Sequence, residues 1–280
     1  MQAEKVHLSV EELKQKAVEV RQDIIHMISV AQAGHPGGSL SATDIVTALY
    51  FRLMNIDPQN PAWEDRDRFI LSKGHACPVW YAALCERGFF EKSHLDTLRK
   101  LNSMLQGHAD MNKTPGVDFT VGSLGQGISA GIGMALSGKL HKKNYHVWVM
   151  IGDGESQEGA IWEAAMSGAK WKLDNLTVIV DDNGIQNDTY VVDVMPVENL
   201  VEKWRAFNWR VLEINGHDMQ AVVDALETAL TIKGEPTAIV AHTIKGRGVS
   251  FMENNPTWHG KAPNREQTEQ ALAEIYGGLK

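Results

Sequence analysis

Two apolar runs in the middle of the chain have the length and composition of buried strands. Residues 147–151 and 176–180 are almost continuously apolar and rich in β-branched side chains, which is typical of parallel strands covered on both faces. The stretch between them has the pattern of a helix. A strand, a helix and a second parallel strand form a right-handed crossover, so both runs should end at the same edge of one sheet.

Further helices and strands alternate along the rest of the chain. Ser9 and Glu12 have the spacing of a capping box, and apolar residues follow at helical intervals to about Gly34, where a loop over 34–39 is expected. Glycines and prolines mark 105–125 as a second loop. We also predict helices at 41–53, 78–86, 93–101, 126–140, 219–232 and 264–276, and strands at 68–71, 210–214 and 237–241. This alternation predicts an α/β fold, a single domain over residues 1–280 with a doubly wound parallel sheet.

Polar residues follow both central strands. Gly152-Asp153-Gly154 closes the first run and Asp182-Asn183 closes the second. A carboxylate and an amide oxygen, with a backbone carbonyl and a water, leave room for two phosphate oxygens around Mg²⁺. The glycines let the main chain approach a ligand closely, and the N-terminus of the following helix favours anions. The tripeptide alone is compatible with an ordinary Asp-Gly turn, but together with Asn183 it predicts a metal–diphosphate site.

Other phosphate and metal motifs do not match this stretch. No lysine follows Gly154 as a Walker loop requires, and Gly152, Gly154 and Gly159 do not have the offsets of a dinucleotide fingerprint. Gly154 and Ser156 do not supply the alternating oxygen ligands of an EF-hand.

Composition excludes several classes of partner. The chain has 280 residues, 43% hydrophobic and 22% charged, and a formal net charge of -8 with no basic run, which argues against a nucleic-acid partner. No apolar stretch approaches the roughly 20 residues that span a membrane, and residues 1–5 lack the apolar core of a secretory signal. Cys77 and Cys85 have no metal-binding spacing, so we expect reduced thiols in a cytoplasmic protein.

Four of the eleven histidines each adjoin a glycine in a predicted loop. They are His35, His75, His108 and His259, and imidazole can move protons near neutral pH. A solvated structural role is the alternative for any one of them. We assign five other histidines to the surface or core, place His217 with Asp218 as a helix cap and leave His242 open; the five are His7, His26, His94, His141 and His146.

The spacing of 27 residues between Gly154 and Asp182 resembles the thiamine diphosphate motif. The wider set of motifs, from about His35 to about His259, resembles the transketolase family. These further motifs are Ala33-Gly34-His35-Pro36-Gly37, Ser72-Lys73-Gly74-His75, Gly122-Ser123-Leu124-Gly125-Gln126-Gly127 and Thr243-Ile244-Lys245-Gly246-Arg247-Gly248. Some family members have proline at the position of Ser123, a difference that affects no catalytic role.

The resemblance implies a role for each site residue. Its catalytic groups would be the four loop histidines, which would surround the sugar, and Glu158, which would link the cofactor sites of two subunits. Mg²⁺, with Ca²⁺ or Mn²⁺ as substitutes, would bind Asp153, Asn183 and the carbonyl of Ile185. Thiamine diphosphate would contact His75, Gly122, Ser123, Leu124, Gly154, Glu155, Asn183, Ile185, Lys245 and His259. The sugar phosphate would contact His35, Lys73, His108, Gln186 and His259.

A second chain is implied as well. In this family a glutamate on a separate pyrimidine-binding domain activates the cofactor, and Glu266, Glu269 and Glu274 cannot replace it because they lie on the predicted tail helix. The chain therefore resembles the N-terminal subunit of a split transketolase, expected to form a heterotetramer of two such chains and two C-terminal subunits. The small residues of 126–135 suit a core or subunit contact. A fragment of a longer enzyme is the alternative.

Two other functions remain open from the sequence. One is a thiamine diphosphate-dependent 2-oxoacid decarboxylase, as a dehydrogenase α subunit or a deoxyxylulose-phosphate synthase-like enzyme; the loop histidines favour sugar hydroxyls instead. The other is a non-catalytic regulatory homologue, against which Asp153, Asn183 and the histidines argue. The ketose donor and aldose acceptor are not identified by the sequence, and fold analogy does not supply them.

Overall fold

A parallel sheet of five strands forms the centre of the protein, for which the computed structural model describes residues 6–278. The sheet has the order β1-β2-β3-β7-β6, and a separate antiparallel hairpin joins β4 to β5. The strands are Arg68–Leu71 (β1), Val147–Gly152 (β2), Leu176–Asp182 (β3), Ile185–Gln186 (β4), Thr189–Tyr190 (β5), Arg210–Asn215 (β6) and Thr237–His242 (β7). All four strand pairs of the sheet are parallel, which confirms the predicted sheet type.

Helices cover both faces of this sheet. They are Val10–Ala31 (α1), Pro36–Ser41 (α2), Thr43–Ala48 (α3), Cys77–Glu86 (α4), Gln126–Leu140 (α5), Gly159–Lys170 (α6), Val191–Val194 (α7), Leu200–Ala206 (α8), Met219–Thr231 (α9) and Arg265–Gly277 (α10). From β3 the chain skips one strand position and forms β6 at the edge of the sheet, and it then returns through α9 to form β7 between β3 and β6. Right-handed crossovers that run in opposite directions along a sheet place their helices on opposite faces. The fold is therefore doubly wound, as predicted.

The contacts agree with this two-sided arrangement. On one face, α5 packs against β1, β2 and β3, and α6 reaches α8 through the rings of Trp162 and Trp204, whose centroids are 5.6 Å apart. On the other face, α9 packs against α1 and α3. Because it is covered from both sides, β2 is buried at every position, as its apolar sequence predicts.

The small residues of α5 serve close packing against the sheet. A Cβ added to Gly131 would lie 2.5 Å from Cγ2 of Val149, and one added to Gly127 would lie 2.6 Å from Ser72. Gly133, on the exposed side of the same helix, has open space around it. One side of α5 therefore belongs to the core, as predicted.

Three predicted elements differ from the structure. The loop over 34–39 ends early, because Pro36 begins α2 and a proline with its fixed φ suits the first turn of a helix. The helix predicted over 41–53 is α3 followed by a π turn, Leu49–Leu53. The helix predicted over 93–101 is only a short 3₁₀ turn, Lys92–Thr97, and the left-handed backbone of Arg99 (φ 60) prevents its continuation.

Short elements escaped prediction, because their periodic patterns are too brief to recognise. Asn199 caps α8, its side chain accepting a hydrogen bond from the Glu202 backbone. Asp218 caps α9 as predicted. His217 does not cap the helix: its ring contacts Asp44 (2.8 Å) and accepts from the backbone N–H of Ile244 (2.8 Å).

Among residues 6–278, no helix is long and apolar enough to cross a membrane.

Candidate active site

The loops that follow four neighbouring strands enclose a cavity of about 310 Å³ at the carboxyl edge of the sheet. Such an edge is where ligands of open α/β sheets bind. Predicted site residues from each of these loops line the cavity; they are Lys73, His75, Asp153, Gly154, Glu155, Asn183, Ile185, Gln186, Lys245 and His259, with Leu124 and Glu158 at its border. His35, His108, Gly122 and Ser123 do not line it.

Asp153 holds the two central loops together. One carboxylate oxygen accepts from the backbone N–H of Gly154 (2.7 Å) and the other from that of Gly184 (2.5 Å), on the loop after β3. The side chain is buried, and burial, with the charges of Asp181 and Asp182, raises the pKa of Asp153 to about 7. A buried carboxylate with this pKa would be stabilised in its ionised form by a cation.

Asp181 connects the site to the sheet. It is fully buried and accepts hydrogen bonds from Ser41 (2.6 Å), from Thr243 (2.5 Å), from the side-chain amide of Asn183 (2.9 Å) and from the Lys73 ammonium. The Lys73 charge holds the pKa of Asp181 below its usual value against the opposing effect of burial. The bond to Asn183 fixes which way that amide points. Its oxygen faces the loop after β3 and accepts from the backbone N–H of Ile185 (3.2 Å).

Lys245 reaches into the cavity from the loop after β7. Its ammonium donates to the carbonyl of Ile185 (2.8 Å) and lies 2.8 Å from Nδ1 of His259. Burial and the neighbouring Lys73 charge lower the pKa of Lys245 to about 8. Lys73, by contrast, donates to the carbonyl of Gly38 (2.8 Å) and pairs with Asp181. The two predicted lysine contacts therefore occupy different positions, and the charge of Lys73 is compensated within the protein.

Three of the four predicted loop histidines form one cluster. The ring centroids of His35 and His75 are 5.2 Å apart, those of His35 and His259 are 5.2 Å apart, and those of His75 and His259 are 4.9 Å apart. Burial lowers the pKa of His35 to about 4 and that of His259 to about 3, and it lowers the pKa of His75 well below its usual value. All three rings are therefore neutral at neutral pH, able to donate from one nitrogen and accept on the other.

His108 stands beside this cluster on an exposed loop. A Cβ added to Gly122 would lie 3.5 Å from the His108 ring, so the two predicted residues adjoin each other. Gly122 has a left-handed backbone (φ 151) that suits glycine. Ser123 is exposed, and Leu124 alone of this loop segment lines the cavity.

Glu155 stabilises the walls of the site. Its buried carboxylate accepts from the backbone N–H of Gly125 (2.8 Å), from that of Gly152 (3.1 Å) and from the Ser72 hydroxyl. These bonds leave the carboxylate committed to the protein itself. Glu155 thus lines the cavity while holding three loops in register, which the sequence did not indicate.

Glu158 and Gln186 lie at the mouth of the cavity. Glu158 is exposed at the start of α6. The side-chain amide of Gln186 donates to that of Gln157 (3.1 Å) and accepts a hydrogen bond from it in return. Gln157 also donates to the carbonyl of Met195 (2.9 Å). This pairing was missed in the sequence. Asp181 was missed too, although a carboxylate inside an otherwise apolar strand indicates a buried partner.

The donor set at the mouth of the central crossover suits a hard cation. Asp153, Asn183 and the Ile185 carbonyl supply oxygen atoms, the ligands that Mg²⁺ and Ca²⁺ prefer. Within residues 6–278, no group of three or more His, Cys, Asp and Glu side chains is placed to hold a metal ion. The buried Asp153 carboxylate is the feature that fits a metal ion most directly.

The sequence matches the family described as the transketolase, thiamine diphosphate binding domain over residues 13–278. The chain therefore belongs to the transketolase family of thiamine diphosphate-binding proteins, and its relatives are transferases.

Two bacterial relatives match the chain over most of its length. The 6-deoxy-6-sulfo-D-fructose transketolase subunit SqwG of Clostridium sp. (strain MSTE9) is 45% identical, over 94% of this chain and 96% of its own. An apulose-4-phosphate transketolase subunit from Phocaeicola vulgatus is 40% identical, over 96% of this chain and 95% of its own.

Longer transketolases match as well. Human transketolase is 38% identical over 96% of this chain but only 42% of its own length. The crystal structure of transketolase from Campylobacter jejuni aligns with a TM-score of 0.91 and 31% identity, over 96% of this chain and 43% of that one. The chain thus spans about two fifths of these longer transketolases.

Proposed function

We propose that this chain is the diphosphate-binding subunit of a two-chain transketolase, which transfers a two-carbon ketol unit from a ketose phosphate to an aldose phosphate. The observation that carries this function is the convergence of five predicted site residues on one cavity of a transketolase-family fold: Asp153, Asn183, Lys245, His75 and His259. We further propose that residues 1–280 form one domain and that the enzyme works in the cytoplasm, consistent with two free, buried cysteines.

A metal–diphosphate site at the carboxyl edge is the first part of the proposal. Mg²⁺ would bind Asp153, the oxygen of Asn183 and the carbonyl of Ile185, with Ca²⁺ or Mn²⁺ as substitutes. Lys245 would neutralise a diphosphate oxygen, since among the lysines of residues 6–278 that line the cavity its ammonium is the one without a carboxylate partner. Gly154 permits close packing of this loop against Gln186, because an added Cβ would lie 2.6 Å from that side chain.

The ring side of thiamine diphosphate would lie against the loop of Gly122, Ser123 and Leu124. The bound cofactor would supply the carbon nucleophile that adds to the carbonyl carbon of the ketose. Glu155 would maintain the shape of this wall through its bonds to Gly125 and Gly152. His75 would lie at the boundary between the cofactor and the sugar, because its ring is in contact with both His35 and His259.

The histidines would move protons on the sugar. Neutral imidazoles can accept a proton from one hydroxyl and return it to a carbonyl oxygen, which makes His35, His75 and His259 suitable acid–base groups. The ring of His259 is held in place by the Lys245 ammonium at Nδ1, so its Nε2 is the nitrogen left to face a ligand. His108 would contact the sugar from the exposed rim, and Lys73 and Gln186 complete the proposed substrate contacts.

A partner chain would complete the site. Relatives of this length are named as subunits, whereas the human enzyme extends well beyond the matched part. We propose that the partner carries the pyrimidine-binding domain and its activating glutamate, in a heterotetramer of two plus two. The exposed Glu158 at the cavity mouth would then meet the partner's side of the site.

Reconstitution tests this function. The chain should be produced with and without the candidate C-terminal subunit from its own source and assayed with thiamine diphosphate, Mg²⁺, and a panel of ketose phosphates and aldose phosphates. We expect ketol transfer only with both chains. Robust transfer by this chain alone, or pyruvate consumption without an aldose acceptor, would contradict the proposal. The panel should include branched and sulfonated sugars, among them the two sugars that the relatives' names contain.

A further inference from the structure

The Lys245 ammonium donates to the same carbonyl, that of Ile185, which the proposed metal would use. We propose that Lys245 acts as an internal cation that keeps the metal site closed to a lone metal ion until a diphosphate draws the ammonium away. This inference rests on the metal–diphosphate site of the proposed function. It adds an explanation of why metal and diphosphate should bind together.

The main chain around Lys245 is anchored, so only the end of the side chain needs to move. The carbonyl of Lys245 accepts from the backbone N–H of Asn254 (2.9 Å), and Gly246 donates to the carbonyl of Gly37 (3.0 Å). The side-chain stem lies close to Gly37, where an added Cβ would be 3.0 Å from Cγ of Lys245. Rotation about the terminal side-chain bonds can therefore release Ile185 without a loop movement.

The Lys245 ammonium and a metal ion compete electrostatically for the Ile185 carbonyl. Lys245 is buried, with 2% of the residue exposed, so its charge is weakly screened. A divalent ion on the Ile185 carbonyl would face the ammonium at short range and repel it. A bound diphosphate removes this repulsion, since its oxygens can accept hydrogen bonds from the ammonium and bind the metal ion at the same time. Each ligand thus favours the other, and by linkage the coupling is reciprocal.

Lys73 does not share this position, although it lines the same cavity. Its ammonium donates to the carbonyl of Gly38 and to Asp181, whereas the Lys245 ammonium donates to the Ile185 carbonyl. Lys261 is an exposed lysine that lies over the ring of Trp258, beyond His259 in the chain. Lys261→Met therefore removes the same charge as Lys245→Met without touching the metal site, and it serves as the matched control.

Binding of Mn²⁺ by the full chain, followed by electron paramagnetic resonance with and without inorganic pyrophosphate, tests the proposal. In the wild type, pyrophosphate should tighten Mn²⁺ binding on the order of tenfold to a hundredfold, the usual range of coupling. Lys245→Met should bind lone Mn²⁺ more tightly than the wild type and lose most of the pyrophosphate effect. Lys261→Met should behave as the wild type. Lys245→Gln, which keeps a donor but no charge, provides a second variant if the methionine chain does not fold.

The outcomes separate this inference from the proposed site. If Asp153→Ala abolishes Mn²⁺ binding but Lys245→Met and Lys245→Gln bind lone Mn²⁺ no better than the wild type, the metal site stands and the role of Lys245 is refuted. If the wild type binds no Mn²⁺ even with pyrophosphate, the proposed metal site is itself wrong, and the role of Lys245 is refuted with it. Tight lone Mn²⁺ binding by the wild type, unaffected by pyrophosphate, would refute the Lys245 role alone.

Discussion

Replacing the central carboxylate should make the ligand-free protein more stable while removing its metal site. Asp153 is buried, and burial together with the charges of Asp181 and Asp182 raises its pKa to about 7. Asp153→Asn has nearly the same shape and no charge, so it removes the cost of a buried ionised group. Its amide has one acceptor oxygen instead of two, so one of the two backbone N–H bonds is lost and offsets part of this gain. Stability and function are thus expected to change in opposite directions.

The magnitude follows from the pKa difference between the folded and unfolded chain. The ordinary value is 3.8 and the folded value is about 7, a difference of about 3 pH units that corresponds to about 4 kcal/mol. Between these values folded Asp153 keeps a proton that the unfolded chain has lost, so wild-type stability falls as the pH rises through this window. At pH 8 removal of the charge should make the asparagine variant more stable by up to about 4 kcal/mol, and near pH 4, where folded Asp153 is itself protonated, this gain should vanish.

Equilibrium unfolding in urea from pH 4 to pH 8, with chelator and without cofactor, measures this difference. Asp188→Asn is the matched control, because Asp188 is exposed on the neighbouring loop and its charge costs little there. Isothermal titration with Mg²⁺ and thiamine diphosphate should show that Asp153→Asn has lost cofactor affinity. A variant that is destabilised equally at every pH, or that binds cofactor as the wild type does, would refute the reasoning.

Three further predictions concern the histidines, the buried ion pair and the glycine helix. His259→Ala should leave cofactor affinity largely unchanged and lower kcat of the reconstituted enzyme by about 10²–10⁴-fold, as loss of an acid–base group does; unchanged kcat would remove His259 from the proton transfers. Asp181→Ala leaves the Lys73 ammonium buried without its partner and should cost about 3–5 kcal/mol in chemical unfolding, whereas a cost below about 1 kcal/mol would show that solvent reaches Lys73. Gly131→Ala should destabilise the chain by about 1–3 kcal/mol because its Cβ would collide with Val149. Gly133→Ala, on the open side of the helix, should stabilise the chain by up to about 1 kcal/mol. Equal effects of the two substitutions in unfolding experiments would contradict the packing of α5.

Local sequence patterns predicted most of the longer helices and strands and the loops that carry the site residues. The capping box of Ser9 and Glu12 begins α1 where predicted, and the apolar runs became β2 and β3 because each has a continuous buried pattern. Since parallel strands end at one edge, the residues after them had to meet, and Asp153 and Asn183 do lie on adjoining loops. Elements such as α8 were missed because a seven-residue helix has too few turns to show a period.

The amino-acid sequence by itself determined the sheet type, the carboxyl edge and the residue types that gather there, because strand burial and glycine turns are encoded locally. Only the tertiary structure decided which charges are compensated. Lys73 and Lys245 look alike in sequence, yet one is paired with Asp181 and the other rests on the Ile185 carbonyl. Glu155 likewise became a support for three loops. Such pairings join residues from distant parts of the chain, and a buried charge selects its partner only when packing has removed the water around it.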